Sequence, residues 1–228
     1  MIAHRGLSGL ETENTAAAFV AAGNRSFFAI ETDVRRTIDG RYVLNHDETT
    51  ARCGIDVITP EKSTFETIQS IRLMDMDGKR GRTDLRVPEL RDYLSICKRY
   101  EKVAVLEFKT VFTEEEMAEV VEIIKTEHDL EKMIFISFQF DALVNLRKVY
   151  PQAKCQFLTI RCDDELFEKL KAYKFDIDAT IHAFPDKESI DKFHEAGMEV
   201  NVWTLDDPEK AEKYISWGAD YITTNILE

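Results

Sequence analysis

The chain has 228 residues, 44% of them hydrophobic and 32% charged, which is enough apolar content for a folded core and excludes a disordered chain. Its 43 acidic against 30 basic side chains give a formal net charge of −13, a field that repels nucleic acid and excludes extended binding to a phosphate backbone. No apolar run is long enough to span a bilayer, and no charged-then-apolar leader precedes Ile2-Ala3-His4, so stable membrane insertion is not expected.

In chain order, strands are predicted at Ile2–Arg5, Phe28–Val34, Val103–Lys109, Met133–Phe138, Lys154–Thr159, Ile177–Ile181, Glu199–Thr204 and Tyr221–Thr224. Between them the spacing predicts helices. Thr15–Gly23 opens after Asn14 as N-cap, and Glu89–Tyr100 follows Pro88. Thr113–Glu127 starts on a capping box and buries Ala118, Val121, Ile123 and Ile124. Asp141–Tyr150, Asp163–Tyr173, Asp186–Ala196 and Asp207–Trp217 follow, the last two closed by Gly197 and Gly218. Eight strands alternating with helices predict a parallel α/β chain closed into a barrel. Asp47 to Val87 is too long for a simple connection and is read as an insertion over one mouth, with its own helix near Thr64–Ile71. The chain stops four residues after the eighth strand, so the last helix is expected to be truncated and a neighbouring subunit to cover that seam, making a homo-oligomer possible. The whole is read as one domain over residues 1–228 with an insertion at about 47–87. The cysteines Cys53, Cys97, Cys155 and Cys162 lack C-x-x-C spacing and read as free thiols of a reducing, cytoplasmic setting.

The chemistry is predicted from Ala29 to Asp47. Side chains on a strand alternate faces, so Glu31 and Asp33 share one and Ile30, Thr32 and Val34 the other. Asp39-Gly40 marks a turn that would bring Tyr42–Leu44 and then His46 back toward the two acids. Glu107 and Lys109 share a face at the end of a third strand, His4 and Arg5 end the first, and Trp203 ends the seventh. Each alone has a structural explanation, such as an internal ion pair. Three acids from adjacent strands with two histidines nearby, all at the end where such barrels keep their reacting groups, point to a bound cation. His128, His182 and His194 are read as surface or helix-end residues, and Asp163-Asp164-Glu165 as a helix start.

The ordered series His4-Arg5-Gly6, Glu13-Asn14-Thr15, Glu31-Thr32-Asp33, Thr37-x-Asp39-Gly40, His46-Asp47, Glu107-Phe108-Lys109, Ser137-Phe138 and Val202-Trp203-Thr204 resembles the glycerophosphodiester phosphodiesterase family over nearly the whole chain. The resemblance implies a TIM (β/α)8 barrel with an insertion after its second strand. It also implies hydrolysis of a glycerophosphodiester to an alcohol and glycerol 3-phosphate, through a cyclic phosphate. Glu31, Asp33 and Glu107 would hold one divalent cation, Mg²⁺ or Ca²⁺ by the hardness of their oxygens. His4 and His46 would be the acid/base pair, with either one acting first. Arg5 and Lys109 would hold the phosphate, and Trp203 the glycerol. The runs Thr49–Gly54 and Val87–Asp92 depart from the family's usual pattern, which leaves the leaving alcohol open. Two other readings remain: a lysophospholipase D-like lipid phosphodiesterase, and a catalytically silent ligand-binding barrel.

Overall fold

The structure, a computed structural model, describes residues 1–54 and 56–228. Nine strands are present: β1 (Ile2–Ala3), β2 (Ala29–Arg36), β3 (Tyr42–Leu44), β4 (Val103–Phe108), β5 (Met133–Ser137), β6 (Cys155–Thr159), β7 (Asp176–Thr180), β8 (Val200–Trp203) and β9 (Tyr221–Thr224). Eight are parallel and close into a barrel, because β1 pairs with both β2 and β9. The ninth, β3, lies antiparallel to β2 in the register Val34↔Leu44 and Arg36↔Tyr42, the expected hairpin. The helices are α1 (Ala16–Gly23), α2 (Phe65–Ser70), α3 (Leu90–Arg99), α4 (Glu114–Glu127), α5 (Phe140–Val149), α6 (Asp164–Tyr173), α7 (Lys187–Glu195) and α8 (Pro208–Ser216).

Alternation along each strand separates two cores. Outward residues such as Ile30, Val34, Leu106, Phe108, Phe135, Ile177 and Val202 pack against the helices. Inside the barrel lies a smaller cluster of Ile2, Ala29, Val105, Ile134, Ile136 and Leu158, of which Ile136 and Leu158 reach the cleft at the strands' C-terminal ends. Tyr93 ties the layers together: its hydroxyl lies 2.7 Å from the Ile30 carbonyl, and its ring meets Phe19 edge-on at 5.0 Å. The segment between β3 and α3 packs on the hairpin through its own cluster, in which Ile68, Ile71, Leu73, Leu85 and Val87 cover Val43. Thr12 Oγ1 donates to the Met74 carbonyl at 2.7 Å and ties this segment to the loop after β1.

Four expectations change. β1 ends at Ala3 because Arg5 (φ 55) and Gly6 (φ 77) turn the chain sharply into the left-handed region. Asn14 does not cap α1; Thr15 does, accepting from the Ala18 N–H, and Asn14 (φ 54) turns inward. On α4 the buried stripe is Met117, Val120, Val121 and Ile124, with Ala118 exposed, because the helix face meeting the barrel is rotated by one residue. His128 does end α4, but its ring is buried rather than on the surface. The seam between β9 and β1 is partly covered by the chain itself: Leu227 packs on the core and the Glu228 carboxylate pairs with Arg25 and Ser26.

The upper interior is divided by chemistry. From β6 to β9 the inner face also carries the buried polar residues Gln156, Asp178, Asn201 and Thr223, beside Leu158 and Trp203. Thr223 Oγ1 donates to Asn201 Oδ1 (3.1 Å), and Asn201 Nδ2 donates to Gln156 Oε1 (3.3 Å). Asp178 has no cationic partner among the described residues, and burial pushes its carboxyl up to about 8, against a smaller opposing effect of Asn201.

Two predictions follow from this layout. A Cβ at Gly6 would lie 2.7 Å from the Ala18 carbonyl carbon, at a φ that already disfavours side chains, so Gly6→Ala should cost at least ~2 kcal/mol in urea unfolding. The folded chain keeps a proton on Asp178 that the unfolded chain releases near pH 4, so wild-type stability falls as pH rises from about 4 to about 8. Asp178→Asn removes that loss, and its stability relative to wild type should climb with pH over this window by on the order of 1 kcal/mol per unit; parallel curves would show the carboxyl to be ionised throughout.

Candidate active site

The C-terminal ends of the strands surround a narrow cleft of about 50 Å³, lined among others by His4, Arg5, Glu31, His46, Glu107 and Trp203. A larger groove outside the barrel, against Tyr42, Leu90 and Ile123, gathers no comparable set of reacting groups. Glu31 and Asp33 come from β2 and Glu107 from β4, and Asp33 and Glu107 are register partners. One oxygen from each of the three lies within 4.8 Å of the others, and all three residues are buried.

Such crowding shifts their titration. Burial, then the charges of Asp33 and Glu107, push Glu31 well up; burial and Asp33 push Glu107 up. Burial also pushes Asp33 up, but Lys109 and Arg5 outweigh it and hold Asp33 below the usual carboxylate range. Lys109 Nζ lies 2.7 Å from Glu107 and 3.4 Å from Asp33, and Arg5 Nε is 3.6 Å from Asp33 Oδ2. Asp33 Oδ1 has no hydrogen-bond partner among the described residues despite its burial. Three hard oxygens, one unsatisfied, with more negative charge than two cations can balance, fit a divalent metal ion.

Both histidines are held from behind. His4 Nδ1 lies 2.7 Å from Asn225 Oδ1, which also accepts from Ser8 Oγ at 2.8 Å, while Asn225 Nδ2 donates to Asp206 at 2.6 Å. That orientation of the amide places the His4 proton on Nδ1 and the lone pair on Nε2. His46 Nδ1 lies 2.7 Å from Asp47 Oδ1, and Arg52 Nε in turn donates to Asp47 at 2.8 Å. Burial pushes both rings down; the next influence is Arg5, also downward, at His4 and Asp33, upward, at His46. Trp203 stands at the end of β8, its ring edge-to-face with Phe138 at 5.6 Å.

All eight residues singled out from the sequence therefore meet at one mouth. Other members were missed. Asn14 Nδ2 donates to Asp33 Oδ2 and its Oδ1 accepts from Thr32, each at 2.7 Å. Buried Arg35 donates to the carbonyls of Asn45 (2.9 Å) and His46 (2.8 Å) and to Glu61 (2.7 Å), fixing the hairpin end that carries His46. Glu13 accepts from Arg5 at 2.9 Å. Asn225 follows directly on β9, where the strand-end rule that found Trp203 would also have found it.

The sequence profile of the glycerophosphoryl diester phosphodiesterase family matches residues 4–228. A glycerophosphodiester phosphodiesterase of Caldanaerobacter subterraneus subsp. tengcongensis is 28% identical, over 100% of this chain and 94% of that protein. Among solved structures, a phosphodiesterase of Oleispira antarctica in complex with its product sn-glycerol-3-phosphate superposes with a TM-score of 0.90 at 24% identity, covering 98% of this chain and 92% of the other. A glycerophosphodiester phosphodiesterase of Thermotoga maritima does so at 0.77 and 25% identity, covering 98% and 93%. With its eight-stranded barrel and the match running through the strand ends that carry the acids and histidines, the chain belongs to the glycerophosphoryl diester phosphodiesterase family.

Proposed function

We propose that the chain hydrolyses glycerophosphodiesters to an alcohol and glycerol 3-phosphate, using a divalent cation, Mg²⁺ or Ca²⁺, at Glu31, Asp33 and Glu107. The observation that carries this reading is the meeting of three buried carboxylates with two back-tethered imidazoles in one cleft. When bound, the cation supplies Lewis acidity and offsets the negative charge of the diester. Arg5 and Lys109, already beside the acids, hold the phosphate oxygens, and Trp203 packs the glycerol.

His4 and His46 then divide the proton work. His4 leans on a neutral amide, which favours an unprotonated Nε2; His46 leans on a carboxylate, which favours the imidazolium. His4 Nε2 takes the proton of the glycerol 2-hydroxyl as its oxygen attacks phosphorus. His46 gives a proton to the departing alkoxide, leaving a cyclic phosphate. Water then opens the ring with the two roles exchanged.

A lipid-bearing diester is a second reading, favoured by exposed Leu10, Val111, Phe138 and Ile160, which follow β1, β4, β5 and β6 around the mouth. Among the described residues no helix is long and apolar enough to cross a membrane. The four cysteines are all unpaired, which supports a reducing, cytoplasmic setting.

A panel of glycerophosphocholine, -ethanolamine, -glycerol and -inositol with a lysophospholipid, assayed with Mg²⁺ and Ca²⁺ and after chelation, tests the reading; turnover that survives chelation, or none on any of these diesters, overturns it. His4→Ala and His46→Ala should each lose on the order of 10²–10⁴ in kcat. With a p-nitrophenyl leaving group, which departs without protonation, His46→Ala should recover most of the rate of the first, cyclising step, read as the initial release of p-nitrophenol, and His4→Ala should not; the reverse pattern would exchange their roles. Asn14→Ala frees a carboxylate that must face the ion, and should weaken cation binding by ~10–100-fold in calorimetry.

A further inference from the structure

One acid on the wall of the cleft has no part in the scheme above. Asp178 is 1% exposed on β7, three strands round the barrel from Glu107, and lines the same cleft as both histidines. Its Oδ1 has no hydrogen-bond partner among the described residues. Two donors near it are in the same condition: Nε2 of Gln156 on neighbouring β6 and Nε1 of Trp203 on neighbouring β8. Buried polar groups in native proteins are rarely left unpaired, so three on adjacent strands, two of them lining one cleft, call for a polar visitor.

We propose that Asp178 binds the terminal hydroxyl of the glycerol unit and so selects diesters whose glycerol carries a free hydroxymethyl group. The inference rests on the phosphodiesterase reading and adds a residue that determines specificity. Register sets the depth: Asp178 pairs with Asn201 and Thr180 with Trp203, so Asp178 lies two residues, roughly 7 Å, below Trp203 along the barrel. A glycerol packed on Trp203 with its phosphate at Arg5 and Lys109 points its free end toward this floor. The leaving alcohol must exit to solvent after the first step, whereas the glycerol stays through both, so the deep position belongs to the glycerol. The visitor is a hydroxyl rather than a cation, because a carboxyl kept protonated by burial both donates and accepts, as a hydroxyl does. Its neighbours Gln156, Asn201 and Thr223 are uncharged.

Calorimetry on the Mg²⁺-supplemented protein compares glycerol 3-phosphate with propane-1,2-diol 1-phosphate, which lacks only the terminal hydroxyl. Wild type should prefer glycerol 3-phosphate by roughly tenfold. Asp178→Ala should bind the two alike, with affinity for the diol phosphate unchanged, and Asp178→Asn, which keeps a donor and an acceptor, should recover part of the preference. A preference that persists in Asp178→Ala, or equal weakening of both ligands in both variants, overturns the proposal in favour of a purely structural floor. So does a loss confined to turnover of glycerophosphoethanolamine, which would place the ammonium there. If wild type binds glycerol 3-phosphate with this pattern yet cleaves no diester, the proposed function fails while the binding role of Asp178 stands.

Discussion

Three carboxylates forced within 4.8 Å of one another and closed off from water are the constraint to which the rest of the mouth answers. Ionised together they repel, and burial removes the solvent that would screen them. Two cations are brought in, each at a conformational cost or with a divided allegiance. Arg5 adopts a left-handed backbone, which lets its N–H donate to Glu31 at 2.7 Å while its guanidinium turns to Glu13 and Asp33. Lys109 lies between Glu107 and Asp33. Asn14 is a second left-handed residue, and it serves the same carboxylate from the other side. Among the described residues, two of the four non-glycine residues with positive φ touch Asp33, so strain is gathered beside this carboxylate.

That strain is held by the layer outside. Strand β2 carries Glu31 and Asp33 on one face, and on the other Ile30 and Val34 pack in the helix-facing core. A slip of one residue would exchange these faces, bury the acids among aromatics and turn the aliphatics into the cleft, so packing fixes the register that places the site. The hairpin adds a second lock. Because β3 returns alongside β2, Arg35 can bridge from the strand to the backbone of Asn45 and His46, so one strand positions two of the three clustered acids and one imidazole.

What could be read from the sequence was whatever depends on period and order. The alternation in Glu31-x-Asp33, the turn at Asp39-Gly40 and the polar strand ends are local patterns, and the barrel follows from counting alternating units. What could not be read depends on contacts distant in sequence. Asn14 has the chemistry of an N-cap and sits one residue before a helix; only the proximity of β2 shows that its amide is used by Asp33 instead. Ala118 fits an apolar period as well as Met117 does, and the choice is made by how α4 sits on the barrel. Asn225 lies 221 residues from His4, and the two meet because β9 pairs with β1.

That last pairing links barrel closure to the reaction chemistry. His4 needs its proton on Nδ1 if Nε2 is to accept another, and the group that enforces this tautomer arrives on the final strand, oriented in turn by Asp206. The proposed acid/base pair would thus be assembled from the two ends of the chain and from the hairpin in between, and the seam that Leu227 and Glu228 help to cover is also the seam that orients the His4 ring. The charge balance points the same way. The body of the chain is negative by 13, so an anionic diester gains nothing from the long-range field. Within the cleft, three carboxylates against Arg5 and Lys109 leave one surplus negative charge if all ionise, and a divalent ion turns it into one surplus positive charge. On the proposed function, attraction for the diester would therefore be confined to the cleft once a cation is bound there, beside the tethered histidines.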